Sequence, residues 1–226
     1  MTTIKTPNVT WIDIKNPSPK ELKYLAANYN VHPLILEGLE KPTVRSQAED
    51  YNGYIYLVLH FPVFNPAKKI SEPVEIDFII TPDTLISVRY QNNEPLDEFL
   101  KKCKVAASHI RKIALGKNAI YLFYYLIKEM YGFSMRQLDH LDEKIGAIEE
   151  SIFSGRQKEM LLALSLARSD VLNFLRKTAI AKSHEILCSV VFIFGTFVLT
   201  VKEVENFVEA VQVESTKNLL NFTISF

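Results

Sequence analysis

Carboxylate pairs, scattered histidines and two lone cysteines are the side chains of this sequence that could do chemistry, and their spacing limits what they can do. Glu49-Asp50, Asp142-Glu143 and Glu149-Glu150 could be argued into general acid–base roles. On helix surfaces and strand ends, however, such pairs are solvated charge. The five histidines lie apart. His32, followed by Pro33, reads as a helix cap or packing residue, because an isolated histidine lacks the partners that a metal site needs. Cys103 and Cys188 have no metal-ligand spacing and follow no secretory signal, which suits idle thiols in a reducing compartment. No Gly-rich phosphate loop, no Ser/His/Asp arrangement in a motif context and no HExxH zinc helix occurs. The reading is of a protein that is not an enzyme.

Charge excludes another class. Lysine plus arginine balances aspartate plus glutamate at 26 each, so no overall field exists to hold a polyanion, and nucleic acid is not an expected partner. Lys101, Lys102, Lys104, Arg111 and Lys112 fall on one expected helix, Leu96 to Ile113. Without interleaved aromatics they read as its solvated face.

The elements that position these residues divide the chain near residue 117. All ten prolines lie before residue 96, so the front is rich in turns and the back is free to run as long helices. In the front part, residues 1–117, Val9 to Ile14 alternates and reads as a half-buried strand. Ser18-Pro19-Lys20-Glu21 is a capping box that opens a helix ending near Asn30. His32-Pro33 starts a short second helix that closes before Pro42. Asn52-Gly53, ahead of Tyr54 to Leu59, predicts a hairpin, and Val74 to Thr81 with Leu85 to Tyr90 flank a Pro82-Asp83 turn. The sheet should be antiparallel or mixed.

In the back part, residues 118–226, Ile120, Tyr124, Ile127, Tyr131, Ser134, Leu138, Leu141, Ile145, Ile148 and Ile152 recur at spacings of four and three. Such a seam predicts a long helix capped by Asn118, stopped at Ser154-Gly155 and packed in coiled-coil fashion. A second helix should return from Gln157, and a third pattern runs from Phe197 to Val211. The charge-free stretch Ile186 to Val201 has 16 residues, short of the roughly 20 that cross hydrocarbon, and reads as a packed segment. The fold class is α/β (α+β): a mixed sheet between helices, followed by a long antiparallel helical hairpin and a stalk helix.

In their order and spacing, these residues resemble the N-terminal domain of the CorA-like divalent-cation (magnesium) transporter family. The resemblance is carried by Thr10-Trp11-Ile12-Asp13-Ile14, Val31-His32-Pro33-Leu34-Ile35-Leu36-Glu37 and Tyr51-Asn52-Gly53-Tyr54-Ile55-Tyr56-Leu57-Val58-Leu59. It continues through Glu75-Ile76-Asp77-Phe78-Ile79-Ile80, Leu85-Ile86-Ser87-Val88, Tyr121 to Ile127, Leu138 to Asp142 and Ile148-Glu149-Glu150. Leu175-Arg176-Lys177-Thr178 and Glu185-Ile186-Leu187 are similar to the family's returning helix, and Ser215 to Leu220 to its last stalk turns.

The resemblance implies a homopentamer at the cytoplasmic face of a membrane, with this chain as a soluble gating or sensing domain. Its long helix would lead toward membrane helices that the chain lacks. The family's Gly-Met-Asn pore signature does not occur before Phe226, so this chain alone should transport nothing and should associate only weakly. No cofactor is required. Relatives carry Glu-Asp on the His-Pro-Leu helix, where the aspartate meets a regulatory metal, but this chain has Glu37-Gly38. Glu37 and Glu40 are the carboxylates left to hold Mg2+ or another divalent cation, and should do so weakly. The alternative is a free-standing scaffold that binds partners through its heptad helices.

Overall fold

The computed structural model describes residues 1–154, apart from 45, 52, 66, 67 and 69, together with 160 and 163–168. All of these fall within one compact unit, Met1–Ala179. In chain order the elements are β1 (Thr2–Lys5), β2 (Thr10–Lys15), α1 (Pro19–Tyr29), α2 (Pro33–Gly38), β3 (Gln47–Tyr51), β4 (Tyr54–Asn65), β5 (Ile70–Ile80), β6 (Thr84–Arg89), α3 (Glu94–Lys104), α4 (His109–Ala114) and α5 (Ala119–Phe153).

Six strands form one sheet in the order β1-β2-β6-β5-β4-β3. Only the β2–β6 pair is parallel; the other neighbours are antiparallel, so the sheet is mixed as the turns predicted. Parallel pairing needs a long crossover. Here the crossover contains α1, α2 and the β3-β4-β5 meander.

Period-two alternation sorts the strands' side chains onto two covered faces. Ile12, Ile14, Tyr54, Tyr56, Val58, Ile79, Ile86 and Val88 pack with Leu22, Leu25, Ile35 and Leu39 of α1, α2 and the residue after α2. On the opposite face Trp11 meets Phe99 of α3 at 5.8 Å, and Phe78 meets Phe123 of α5 edge-on at 5.1 Å between ring centroids. Burial on both faces corrects one expectation. The strand read as half-buried is β2, and Trp11, Ile12, Asp13 and Ile14 are all buried because helices cover both sides.

Local capping placed the helices well. Ser18 and Glu21 close the capping box on α1, and Asn30 ends it in the left-handed region at φ 47°. Asn118 accepts a hydrogen bond from the Tyr121 N–H at the start of α5, and Ser154 ends that 35-residue helix. Gly53 turns the β3–β4 hairpin at φ 105°, a conformation that suits glycine.

Three features differ from expectation. β1, a four-residue edge strand, carries too little pattern to be seen. β4 and β5 run further than their β-rich cores, because the ladder continues past Pro62 paired with Pro73. The single helix expected over Leu96 to Ile113 is two helices: Val105 leaves α3 with extended backbone, and Ser108 precedes α4. The Arg111 guanidinium reaches back to donate to the Cys103 carbonyl at 2.5 Å, satisfying an acceptor at the end of α3.

Along α5 the seam has two parts. Its first turns bury Leu122, Phe123, Leu126 and Met130, and the helix packs against α3, α4 and strands β4 to β6. Farther on, Ser134, Leu141 and Ile148 are buried at intervals of seven, while Tyr131, Leu138, Ile145 and Ile152 are only partly covered. Ser134 is tolerated because its hydroxyl donates to the Met130 carbonyl at 3.1 Å. The expected returning helix is described only at residues 160 and 163–168, which are helical. The stretch Ile186 to Val201, the pattern from Phe197 to Val211 and the run Ser215 to Leu220 lie outside the described residues.

Candidate functional site

α2 carries the residues singled out for metal. His32 caps it: Nδ1 accepts from the Leu34 N–H at 3.3 Å, and the His32 N–H donates to the Tyr54 hydroxyl at 2.9 Å. Pro33 opens the helix, where a missing N–H costs nothing. Ile35 and Leu39 are buried in the core, which turns Glu37 outward. Glu40 is exposed just beyond, its N–H donating to the Glu37 carbonyl at 3.2 Å. Both carboxylates therefore stand at one end of α2.

Gly38 is not demanded by the backbone. A Cβ there would meet only the Tyr56 hydroxyl, at an ordinary 3.8 Å, and its φ is not in the left-handed region. Among the described residues no group of three or more His, Cys, Asp or Glu side chains converges to hold a metal ion. Two exposed carboxylates are an incomplete oxygen shell for magnesium.

Beneath α2 lies a polar cluster that sequence reasoning missed. Glu75 and Asp77 alternate onto the face of β5 that also carries Ile79, and both are buried, at 5% and 0% exposure. His60 of β4 sits directly across from Glu75 in the ladder. Glu75 Oε2 accepts from the Thr43 N–H at 2.6 Å, from the Thr43 hydroxyl at 3.2 Å and from His60 Nε2 at 3.1 Å. Asp77 Oδ2 accepts from the Tyr90 hydroxyl at 2.8 Å, and that hydroxyl also lies 3.3 Å from the Leu39 carbonyl. The signal was present: in Val74-Glu75-Ile76-Asp77-Phe78-Ile79 two acids share the alternation of a core strand.

Burial, then the neighbouring Glu75 charge, push the Asp77 carboxyl up to about 8, against the lowering effect of Tyr90. The Glu75 hydrogen bond raises His60 above its ordinary value, against burial. Burial also raises the Tyr56 and Tyr90 hydroxyls, with Asp77's charge adding to it.

The order Ser46, His60, Glu75 has the outline of a nucleophile, base and acid: Ser46 Oγ is 3.0 Å from His60 Nδ1. The His60 ring is held on both sides, Nδ1 lying against Ser46 and Nε2 3.1 Å from both Glu75 and the Thr43 carbonyl, and the Glu75 hydrogen bond favours its protonated form.

On the other face a second polar chain ties β2, β6 and α3 together. Trp11 Nε1 donates to Ser87 Oγ at 3.1 Å, and Ser87 donates to Asp13 Oδ1 at 2.8 Å. Arg89 Nη2 donates to Asp13 Oδ2 at 2.9 Å and to Asp97 Oδ1 at 2.6 Å. This cluster is a buried tie across two strands and a helix.

Against known families, residues 7–191 match the model described as CorA-like Mg2+ transporter protein. The chain belongs to the CorA-like Mg2+ transporter family. The cobalt/magnesium transport protein CorA of Thermotoga maritima is 24% identical over 170 residues, covering 75% of this chain and 47% of that protein. The match thus spans about half of the relative's length. The solved soluble domain of CorA from Methanocaldococcus jannaschii is similar at a TM-score of 0.63 and 18% identity, covering 93% of this chain and 80% of that one. The complete CorA magnesium transporter from the same organism gives 0.67 and 15%, with coverages of 99% and 73%. These likenesses establish that the mixed sheet with its helices is the fold of a CorA soluble domain.

The CorA-like match begins just before β2 and covers every later element described above, both polar clusters included. No helix among the described residues is long and apolar enough to cross a membrane.

Proposed function

We propose that this CorA-like chain is the cation-sensing, gating part of a divalent-cation transporter that acts as a homo-oligomer, a pentamer in the intact assembly, at the cytoplasmic face of a membrane. The family match over residues 7–191 carries this reading. Two features of the fold support it. α5 has 35 residues, which at about 1.5 Å each is roughly 50 Å, enough to relay a displacement well beyond the sheet. α2 presents exposed carboxylates, Glu37 and Glu40, at the end of a helix whose other side is fixed in the core. The role is not enzymatic and needs no resident cofactor; the cation is cargo and signal. With no third His, Cys, Asp or Glu converging on them among the described residues, Glu37 and Glu40 would hold magnesium only weakly.

Magnesium uptake into proteoliposomes tests the proposal, using the complete reading frame that carries this domain. The double substitution Glu37→Ala and Glu40→Ala touches two exposed side chains and should leave the fold intact. It is expected to shift the magnesium concentration at which uptake is half-inhibited while leaving uptake itself in place. An unchanged inhibition profile would refute sensing by α2.

A further inference from the structure

The pair Glu75 and Asp77 is built in a way that the cation-sensing reading does not use. Each carboxylate has one oxygen firmly held, Glu75 Oε2 by Thr43 and His60, and Asp77 Oδ2 by Tyr90. The second oxygen of each, Glu75 Oε1 and Asp77 Oδ1, is buried without a hydrogen-bond partner. Two side chains two residues apart on one strand face are neighbours, about 7 Å apart at the backbone and within carboxyl reach of each other. A single proton between them would satisfy both orphaned oxygens at once. Without it, two like charges would share a site from which water is excluded.

The surrounding charge points the same way. From β4 the pair faces His60 and the Tyr56 hydroxyl, and from the residue after β6 the Tyr90 hydroxyl. Glu49 of β3 adds negative potential at Tyr56 and is itself bonded to the Tyr51 hydroxyl. Glu37, Glu40 and Lys41, on α2 and the segment after it, are exposed to solvent. Among the described residues His60 is thus the one basic side chain facing two carboxylates, and a retained proton removes one of the two like charges.

We propose that Glu75 and Asp77 form a proton-binding pair, with one proton shared between Glu75 Oε1 and Asp77 Oδ1, and that releasing this proton to solvent loosens the seat of α2 on the sheet. The coupling runs through two contacts. Asp77 fixes Tyr90, whose hydroxyl reaches the Leu39 carbonyl at the end of α2, and Glu75 fixes Thr43, four residues farther on. A second negative charge repels Glu75 and Asp77 apart and draws on both contacts. Burial pushing the Asp77 carboxyl up to about 8 places the release in the mildly alkaline range. The inference stands on the fold alone and survives if the chain proves to sense no metal.

Carbon-13 NMR of the carboxyl groups in the full chain reads the pair directly. One carboxyl resonance, absent in Asp77→Asn, is expected to titrate above neutrality, at least about three pH units above an ordinary aspartate. Thermal melts from about pH 5 to 9 give the second readout. For an acid whose folded pKa is raised, stability is full below its unfolded value and falls as pH rises through the folded one. The wild-type melting temperature should therefore fall across this window. Asp77→Asn, which keeps the shape of the protonated acid and can donate to Glu75 at every pH, should lose less than about half as much, the remainder being His60. A carboxyl set that titrates entirely below about pH 5, or superimposable pH profiles for wild type and Asp77→Asn, would overturn the proposal. Should the variant fail to fold, the wild-type titration alone decides.

Discussion

Replacing Arg89 by methionine should destabilise the chain more than any surface change, and the structure sets how much. Arg89 and Asp13 are each 3% exposed, joined at 2.9 Å between β6 and β2. Methionine keeps most of the volume of the arginine stem but leaves Asp13 buried with only the Ser87 hydroxyl. Breaking a buried pair by removing one partner costs about 3–5 kcal/mol. Arg89 Nε and Nη1 are themselves buried without partners, and their removal relieves part of that loss. The lower end, about 3 kcal/mol, is expected, or roughly 6–12 °C in melting temperature for a domain of this size. Urea denaturation followed by circular dichroism measures it. The companion Asp13→Asn removes the stranded charge while keeping a bond to Ser87, so the double variant should be more stable than the sum of the singles by at least about 1 kcal/mol. Asp97, whose side chain is 38% exposed, should cost under about 1 kcal/mol on change to alanine. If Arg89→Met loses less than about 1 kcal/mol, or the singles simply add, the view of this cluster as a desolvated ion pair is wrong.

Two further outcomes are expected. Glu21 is held down at about 2, first by the Ser18 N–H that it accepts, so the stability it lends is present above its unfolded value of 4.5 and is lost as pH falls through about 2. Glu21→Gln should therefore match wild type more closely at pH 3 than at pH 7, with a cost at pH 7 of about 1 kcal/mol or less, the usual size of a helix-capping contribution at a partly exposed site; equal losses at both pH values in parallel urea melts would count against the assignment. Magnesium at about its dissociation constant adds only about 0.4 kcal/mol, so melts in EDTA and in about 10 mM magnesium should agree within about 1–2 °C for wild type. Gly38→Asp, which the space against Tyr56 admits at 3.8 Å, should widen that gap, and a wild-type rise of about 5 °C abolished by Glu37→Ala would show a stronger metal site than α2 presents.

Much of the domain was legible because the deciding interactions are local. The capping box at Ser18 and Glu21, the His32-Pro33 start of α2, the Gly53 turn and the Asn118 cap each act within about four residues, so residue type and spacing specify them. The seam of α5 is equally a matter of spacing. Cys103 also stood as expected, a buried thiol raised to about 12 by burial. The family could be read from short runs in order, since each run marks the start or centre of an element.

What escaped depends on pairings across long stretches of chain. His60 meets Glu75 only through the register of β4 on β5, and Asp13 meets Arg89 only because β2 and β6 lie parallel although 76 residues separate the two side chains. The same acids on a strand with one open face would be solvated and carry ordinary charge. The helices that cover both faces of the sheet, a fact of the assembled tertiary structure, remove the water and make a proton or a counter-ion necessary. Residue spacing by itself determined where α1, α2, α5 and the hairpin turns begin and which family the chain resembles. The strand order and the two covering layers decided which carboxylates are buried, what each one faces, and so which groups can respond to a proton.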